Sequence, residues 1–369
     1  MLKRLYAHNF RCLENFELTI DKMPSILLIG KNGVGKTTIG EVLRRFQQIG
    51  RGVNRIKELI EPDDFSYGRS NLPIRLELEA ILDGGSYHYS LALELPEKFR
   101  ELKVAEEKLS VEEKLIYSRK EAQITLFSTQ NNREAQFLLD WHLIALPIIQ
   151  EQSPNDPLRI FRNWLANMIV LNPIPSCMDG NSGNDTLAPR LDGTNIGEWF
   201  SGLLSRYPAA YADIDQYLRN VMPDISDVQN EVIGKNSRSM KISFEKDSAY
   251  FSVDFKRLSD GEKCFFLCAL VLAANRRYGP IFCFWDEPDN YLSLSDIGHF
   301  IVSLRRSFQR GGQILLTSHN AEVVRKFSDE NTFILGRSSH LEPTLIRLLC
   351  DISHKGNLIN SLITGDLEP

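Results

Sequence analysis

Ser25-Ile-Leu-Leu-Ile-Gly30-Lys-Asn-Gly-Val-Gly35-Lys36-Thr37-Thr38 decides how this chain is read. Ser25 to Ile29 is an apolar run short enough for a buried strand, and Ile39 to Phe46 has the apolar spacing of a helix. The join fits G-x-x-x-x-G-K-[ST] over Gly30 to Thr37. Glycines let the backbone turn tightly and present N–H groups to an anion, and the helix N-terminus behind them adds partial positive charge. In such a cradle the loop Gly30, Lys31, Asn32, Gly33, Val34 and Gly35, with Thr38, surrounds phosphates. Lys36 reaches the outer phosphates and the Thr37 hydroxyl binds Mg²⁺. A glycine-rich turn without a ligand is the plainer alternative, and the strand, turn, helix order counts against it.

Upstream, Leu2 to Phe10 and Phe16 to Ile20 alternate as strands. Downstream, Ile74–Leu82, Tyr87–Leu95, Lys103–Leu109, Lys114–Ser118 and Gln123–Phe127 form a ladder of short strands, with Gly84-Gly85 at the first turn. An antiparallel layer beside the loop follows. From Arg133 the apolar residues Phe137, Leu138, Trp141, Leu143 and Leu146 take a helical spacing, and Leu158–Val170, Ile196–Leu204 and Tyr211–Val221 predict further helices. Cys177 to Asn195 is dense in Gly, Asn, Asp and Ser, which predicts a disordered or ligand-ordered loop. Three parts result: an N-terminal lobe over 1–130, a helical insertion over 131–238 and a C-terminal lobe over 239–369.

In the C-terminal lobe, Leu258-Ser259-Asp260-Gly261-Glu262 opens a helix that is apolar on nearly every side from Cys264 to Ala274. Ser259-x-x-Glu262 also satisfies a capping box, which needs no ligand. Ile281 to Trp285 reads as a strand buried on both faces and ends in Asp286-Glu287. Acids at the carboxyl end of a parallel strand stand where open α/β sheets bind ligands. Asp286 suits Mg²⁺ and Glu287 suits activation of a water. A second apolar strand, Gln313–Thr317, is tipped by Ser318-His319, where a phosphate sensor would sit.

With 369 residues, 43% of them hydrophobic, the chain can bury a large core, and a net charge of −5 leaves nucleic-acid binding to local basic patches. Lys235, Arg238 and Lys241, then Arg276-Arg277, then Arg305-Arg306 with Arg310 are such patches, although charge runs are usually solvated faces. Six scattered cysteines read as core thiols of a reducing compartment. No leader and no membrane-length apolar run are found, so a cytoplasmic protein is expected.

The order Gly30–Thr37, Leu258–Glu262, Phe282–Pro288, Thr317–His319 resembles Walker A, the signature, Walker B and the H-loop of ATP-binding-cassette ATPases. Asn9-Phe10-Arg11 ahead of Gly30-Lys31-Asn32-Gly33 is similar to the RecF and SMC branch, particularly its stand-alone RecF-like and OLD-like AAA-type members. The resemblance implies an α/β P-loop NTPase fold of the ABC-type head. A mixed, largely parallel core sheet would carry the antiparallel layer and the helical insertion. It implies ATP and Mg²⁺ as ligands and hydrolysis of ATP to ADP and phosphate. Glu287, His319 and Lys36 would be the catalytic groups, Thr37 and Asp286 the metal ligands, and Arg11 would lie near the phosphates. It also implies a homodimer with ATP sandwiched between heads, Ser259 and Gly261 acting on the opposite copy's γ-phosphate. The implied task is an ATP-gated switch in DNA repair or antiviral defence, with a separately encoded effector and DNA as a candidate partner. A transporter motor subunit and a non-hydrolysing scaffold are the rival readings. Four features depart from the pattern: 222 residues separate Lys36 from Ser259, Pro73 stands about where a Q-loop glutamine is expected, Ser293 stands where the family has Asp or His, and the 50 residues after His319 are too few for a Toprim domain.

Overall fold

A computed structural model describes residues 1–127, 134–151, 153–235 and 237–352. Strands β1 (Leu2–His8), β2 (Phe16–Thr19) and β3 (Ser25–Ile29) lead into helix α1 (Lys36–Gly50). Then come β4 (Ile74–Leu82), β5 (Gly85–Glu94), β6 (Lys103–Val111), β7 (Lys114–Lys120), β8 (Gln123–Phe127), β9 (Glu134–Leu138) and α2 (Pro157–Ala166). The middle holds β10 (Ile169–Leu171), β11 (Asn181–Ser182), α3 (Ile196–Arg206), α4 (Ala210–Val221), β12 (Ile225–Gly234), β13 (Ser237–Lys246) and β14 (Ala249–Asp254). Last come α5 (Asp260–Arg277), β15 (Phe282–Trp285), α6 (Leu294–Gln309), β16 (Gln313–Thr317), β17 (Thr332–Gly336) and β18 (Leu345–Leu348). Two compact units divide the chain: Met1–Met23, Leu28–Met168 and the chain from Thr332 make the first, Pro24–Leu27 and Ile169–Asn331 the second.

The first unit is built on an eight-stranded antiparallel sheet in the order β2-β1-β4-β5-β6-β7-β8-β9. Strict alternation makes it: Ile74, Leu76, Leu78 and Ala80 of β4 are buried, while Arg75, Glu77 and Glu79 between them face outward. On that outer face Arg4 reaches Glu17, Glu77 and Glu79 across three strands. α1 follows the glycine loop and lies so close to α2 that a Cβ on Gly50 would meet Ala166 N at 2.5 Å. β17 and β18 pair antiparallel in the same unit.

Within the sheet a carboxylate and a guanidinium are both fully buried. Glu107 accepts from Tyr89 (2.9 Å), Tyr117 (2.7 Å) and the backbone N–H groups of Ala145 (2.7 Å) and Leu146 (3.0 Å), with Arg119 3.8 Å away. Arg119 donates to the carbonyls of Glu121, Asp140 and Leu143. Burial beside Glu107 pushes both tyrosine phenols well up, so they remain donors. These bonds fix the segment after β9. The helix expected from Arg133 to Leu146 is therefore absent among the described residues: Glu134–Leu138 is a strand on the edge of β8, and Leu138 is 79% exposed. Apolar residues at helical spacing were misleading because the edge of β8 offered backbone partners. Arg133 itself and the 130/131 division lie outside the described residues.

In the second unit β10, β15 and β16 run parallel in that order, every residue buried. The Pro24 carbonyl accepts from Ile314 N at 2.9 Å. The helix expected over Leu158–Val170 stops at Ala166, and Ile169–Leu171 pairs instead with Cys283–Trp285. Antiparallel strands β12, β13 and β14 follow α4, with β11 on β13; β12 is a ten-residue strand where the periodicity predicted more helix. Cys177–Asn195 is held by its own side chains: Asn195 accepts from Arg190 N (2.8 Å) and donates to Ala188 O (3.1 Å), and Asp192 accepts from Thr194 N (3.0 Å). Its polar residues thus tie down the backbone, which overrides the expected disorder. α5 is buried nearly all round from Lys263 to Asn275, as its unbroken apolar run requires.

Candidate functional site

In the first unit the loop Gly30–Gly35 is shaped by what its glycines exclude. A Cβ on Gly30 would meet Leu335 O at 2.5 Å, and one on Gly35 would meet Cys12 Sγ at 2.8 Å and Thr344 Oγ1 at 2.9 Å. Gly35 also holds φ at +101°, closed to other residues at low cost. Gly33, at φ +80°, would meet nothing within 4 Å, so the outer lip is open, with Lys31, Asn32 and Gly33 exposed. From behind, the Thr344 hydroxyl donates to Val34 O (2.8 Å) and Thr344 N to Cys12 O (2.9 Å). Lys36 is buried, its ammonium donating to Gly30 O (2.8 Å) and Lys31 O (3.3 Å). Bare backbone around a buried ammonium at the start of a fifteen-residue helix fits a chain of phosphates. Thr37, in the first turn of α1, is exposed, and the Thr38 hydroxyl accepts from Cys12 Sγ at 3.6 Å.

Arg11 takes a left-handed backbone (φ +52°), its N–H donating to Asp64 O and its Nε to Asp64 Oδ1, both at 2.7 Å. Its guanidinium also lies 5.4 Å from the Phe10 ring centre. Asp64 was not a candidate on sequence, because nothing near it in the chain signals a partner 53 residues upstream.

In the second unit β15 delivers two acids that point to different tasks. Asp286 is buried and accepts from the Thr317 hydroxyl, which itself accepts from Glu287 N (2.9 Å). Thr317 thus locks the ends of β15 and β16 together. Glu287 is half-buried, with a left-handed backbone (φ +45°) that turns its carboxylate toward Asn290 Nδ2 (2.8 Å) and His319 Nδ1 (3.3 Å). The structure therefore brings Asp286, Glu287 and His319 together, and adds Thr317 and Asn290. Asn290 lies three residues past Glu287, within reach of one turn, a spacing that could have found it. Asp289 is buried, its Oδ1 lacking a hydrogen-bond partner, and burial pushes its carboxyl upward against a bond from Ser318.

Ser259 caps α5: its Oγ accepts from Glu262 N (3.3 Å) and donates to Glu262 Oε2 (2.7 Å), while Glu262 Oε2 also takes Ser259 N–H (2.7 Å). The capping box is thus real, and Ser259 and Asp260 are nonetheless exposed. Gly261 abuts the turn after β15, where a Cβ would stand 3.1 Å from Tyr291 O.

Thr37 in the first unit offers a hydroxyl and Asp286 in the second a carboxylate, each a hard oxygen of the kind that Mg²⁺ takes. Among the described residues no helix is long and apolar enough to cross a membrane.

Compared with known proteins, residues 25–325 match the family described as "AAA domain, putative AbiEii toxin, Type IV TA system". No curated protein matches the sequence. Among solved structures, the crystal structure of the SmcHead bound to the C-winged helix domain of ScpA is similar at TM-score 0.60 and 14% identity, over 95% of this chain and 99% of that one. An Smc head domain with an extended coiled coil, bound to the C-terminal domain of ScpA derived from Pyrococcus furiosus, gives TM-score 0.50 and 13% identity over 95% and 97%. At these identities the likeness shows the fold, which is that of an ABC-type head: a P-loop α/β core with parallel strands and an antiparallel sheet.

Proposed function

The chain belongs to the AAA-domain family that matches residues 25–325 and is a P-loop ATPase of the SMC and ABC head type, and on that premise we propose that it is an ATP-hydrolysing dimeric switch in DNA repair or antiviral defence. The loop Gly30–Gly35, with Thr38, binds the phosphates through backbone N–H groups, and Lys36 transfers its ammonium from the Gly30 and Lys31 carbonyls to the outer phosphates. Mg²⁺, when bound by Thr37 and Asp286, offsets phosphate charge. Glu287 takes the proton of the attacking water, and His319, hydrogen-bonded to Glu287, orients that carboxylate and senses the γ-phosphate. Arg11, anchored by Asp64, lies near the phosphates. The exposed Ser259 turn, with Gly261, serves the nucleotide of a second copy, so isolated monomers turn over slowly. Hydrolysis then reopens a dimer whose closed form ATP favours.

The carrying observation is the Thr317 hydroxyl, which joins Asp286 to the Glu287 backbone and leaves the two adjacent carboxylates with different partners. A strand that merely met solvent would not need that arrangement. The SMC heads similar in fold are described in complex with ScpA, which supports a head that docks a separately encoded protein. We place the protein in the cytoplasm, with 1–130 and 239–369 as ATPase lobes around an insertion over 131–238.

Glu287→Gln tests the reading. Turnover should fall by about 10²-fold or more while ATP affinity is kept, and the variant should accumulate as dimer in ATP by light scattering. Unchanged turnover in the variant, or wild type that binds ATP and releases no phosphate with any DNA or partner, refutes it.

A further inference from the structure

The arginines that the sequence scattered over two helices converge in the second unit. A cavity of about 190 Å³ lies among α4, α5 and α6. Arg276 lines it from α5, Arg306 from α6 and Arg310 from the C-cap of α6. Asp213 of α4, the one carboxylate lining the cavity, already binds Arg276 and Arg277, each at 2.5 Å. Three guanidiniums therefore line a cavity with one acid, which a fourth, Arg277, also binds, and neither Arg306 nor Arg310 has an acidic partner among the described residues.

Cations in the last turn of a helix complement its dipole, which would account for either arginine singly. It does not account for both. Arg306 in the last turn of α6 and Arg310 at its C-cap stand four apart and line the same cavity, an arrangement in which like charges repel unless something negative bridges them. The hydroxyls of Ser303 and Ser307 line the same wall. Opposite them, Tyr217 of α4 lines the wall, its buried hydroxyl turned to the Cys268 thiol in the core. Burial pushes that phenol well up, so it stays a neutral donor. Three guanidiniums lining one cavity whose single lining carboxylate is already engaged by Arg276 and Arg277 call for an acceptor-rich anion.

We infer that this cavity is a binding site for a phosphate group, held by Arg276, Arg306 and Arg310. Guanidinium forks match phosphate oxygens in pairs, and the cavity volume admits one phosphate with part of its sugar but not a folded peptide. The phosphate is supplied either by a nucleic-acid backbone or by a small phosphorylated molecule.

The full-length protein is treated with phenylglyoxal alone, with inorganic phosphate and with a short random-sequence duplex, and modification is read residue by residue by mass spectrometry. Arg306 and Arg310 should be protected by phosphate, while exposed Arg206 should not. If DNA is the source, Arg306→Ala/Arg310→Ala loses roughly tenfold in duplex affinity, with a salt slope shallower by about two. Arg306→Lys/Arg310→Lys then recovers most of it. If the ligand is small, phosphate protects and duplex affinity is unchanged in the alanine pair. Both outcomes support the site. Absence of protection by phosphate and by duplex overturns it. ATP binding by the alanine pair should equal wild type, so failure here leaves the proposed switch standing.

Discussion

Two of the places where the chain buries carboxylates treat them in opposite ways. Glu107, in the antiparallel sheet, receives four neutral donors and a nearby guanidinium, and every one of these positions a backbone or a tyrosine. The turn after β15 does the reverse: Asp289 is buried with an oxygen left over, and Glu287 beside it turns its carboxylate toward two exposed side chains, Asn290 and His319. A saturated carboxylate can do nothing further, since each lone pair is spent on keeping a segment in place. Unsaturated ones retain capacity for a water, a metal or a proton, at a cost in stability. The contrast separates the part of the molecule that is scaffold from the part that is chemistry.

Removing the saturated charge should have the largest effect. Glu107→Gln leaves Arg119 buried without a counter-charge and should lower unfolding free energy by about 3–5 kcal/mol, read by urea denaturation. Per folded molecule, ATP affinity should remain. A small loss would mean that the tyrosines and backbone, not the ion pair, hold that segment, and the contrast would weaken.

Thr317→Val comes next. It strips the donor to Asp286 and the acceptor of Glu287 N–H together, so stability should drop by roughly 1–3 kcal/mol, with turnover falling further than the folded fraction. Loss of turnover in strict proportion to folded protein would place Thr317 on the scaffold side.

Asp289→Asn is the smallest and the most telling. A carboxyl pushed up by burial binds its proton more tightly folded than unfolded, so wild-type stability should decline as pH rises through the carboxylate range. The amide removes that decline. At neutral pH the variant should lie within about 1 kcal/mol of wild type or above it. A variant markedly less stable than wild type at every pH would show that the ionised carboxylate has a partner that stabilises it.

The same contrast explains what could be read in advance. Local signals sufficed where structure is local: Ile74–Leu82 and Gln123–Phe127 have the limits their alternation predicts, and the strand ending at Trp285 delivers Asp286 and Glu287 because a continuous apolar run must stop at charge. Reading failed where distant partners decide. Phe137 and Leu138 looked helical, yet β8 claimed them; Ile169–Leu171 looked like the end of a helix, yet β15 did. β12, written Ile-Ser-Asp-Val-Gln-Asn-Glu-Val, hides its alternation under polar residues that only β13 makes sense of. Asp64, Thr344 and the arginine cavity share that character, since each joins residues dozens of positions apart.

One helix gives the second unit a mechanical property. α5 begins at the Ser259 cap and ends at Arg277, eighteen residues or about 27 Å, and its middle is packed on all sides. A rod so enclosed resists bending and sliding alike, because its surroundings are close-packed and nearly incompressible, so the serine turn and Arg277 are held at a fixed separation like the two ends of a strut.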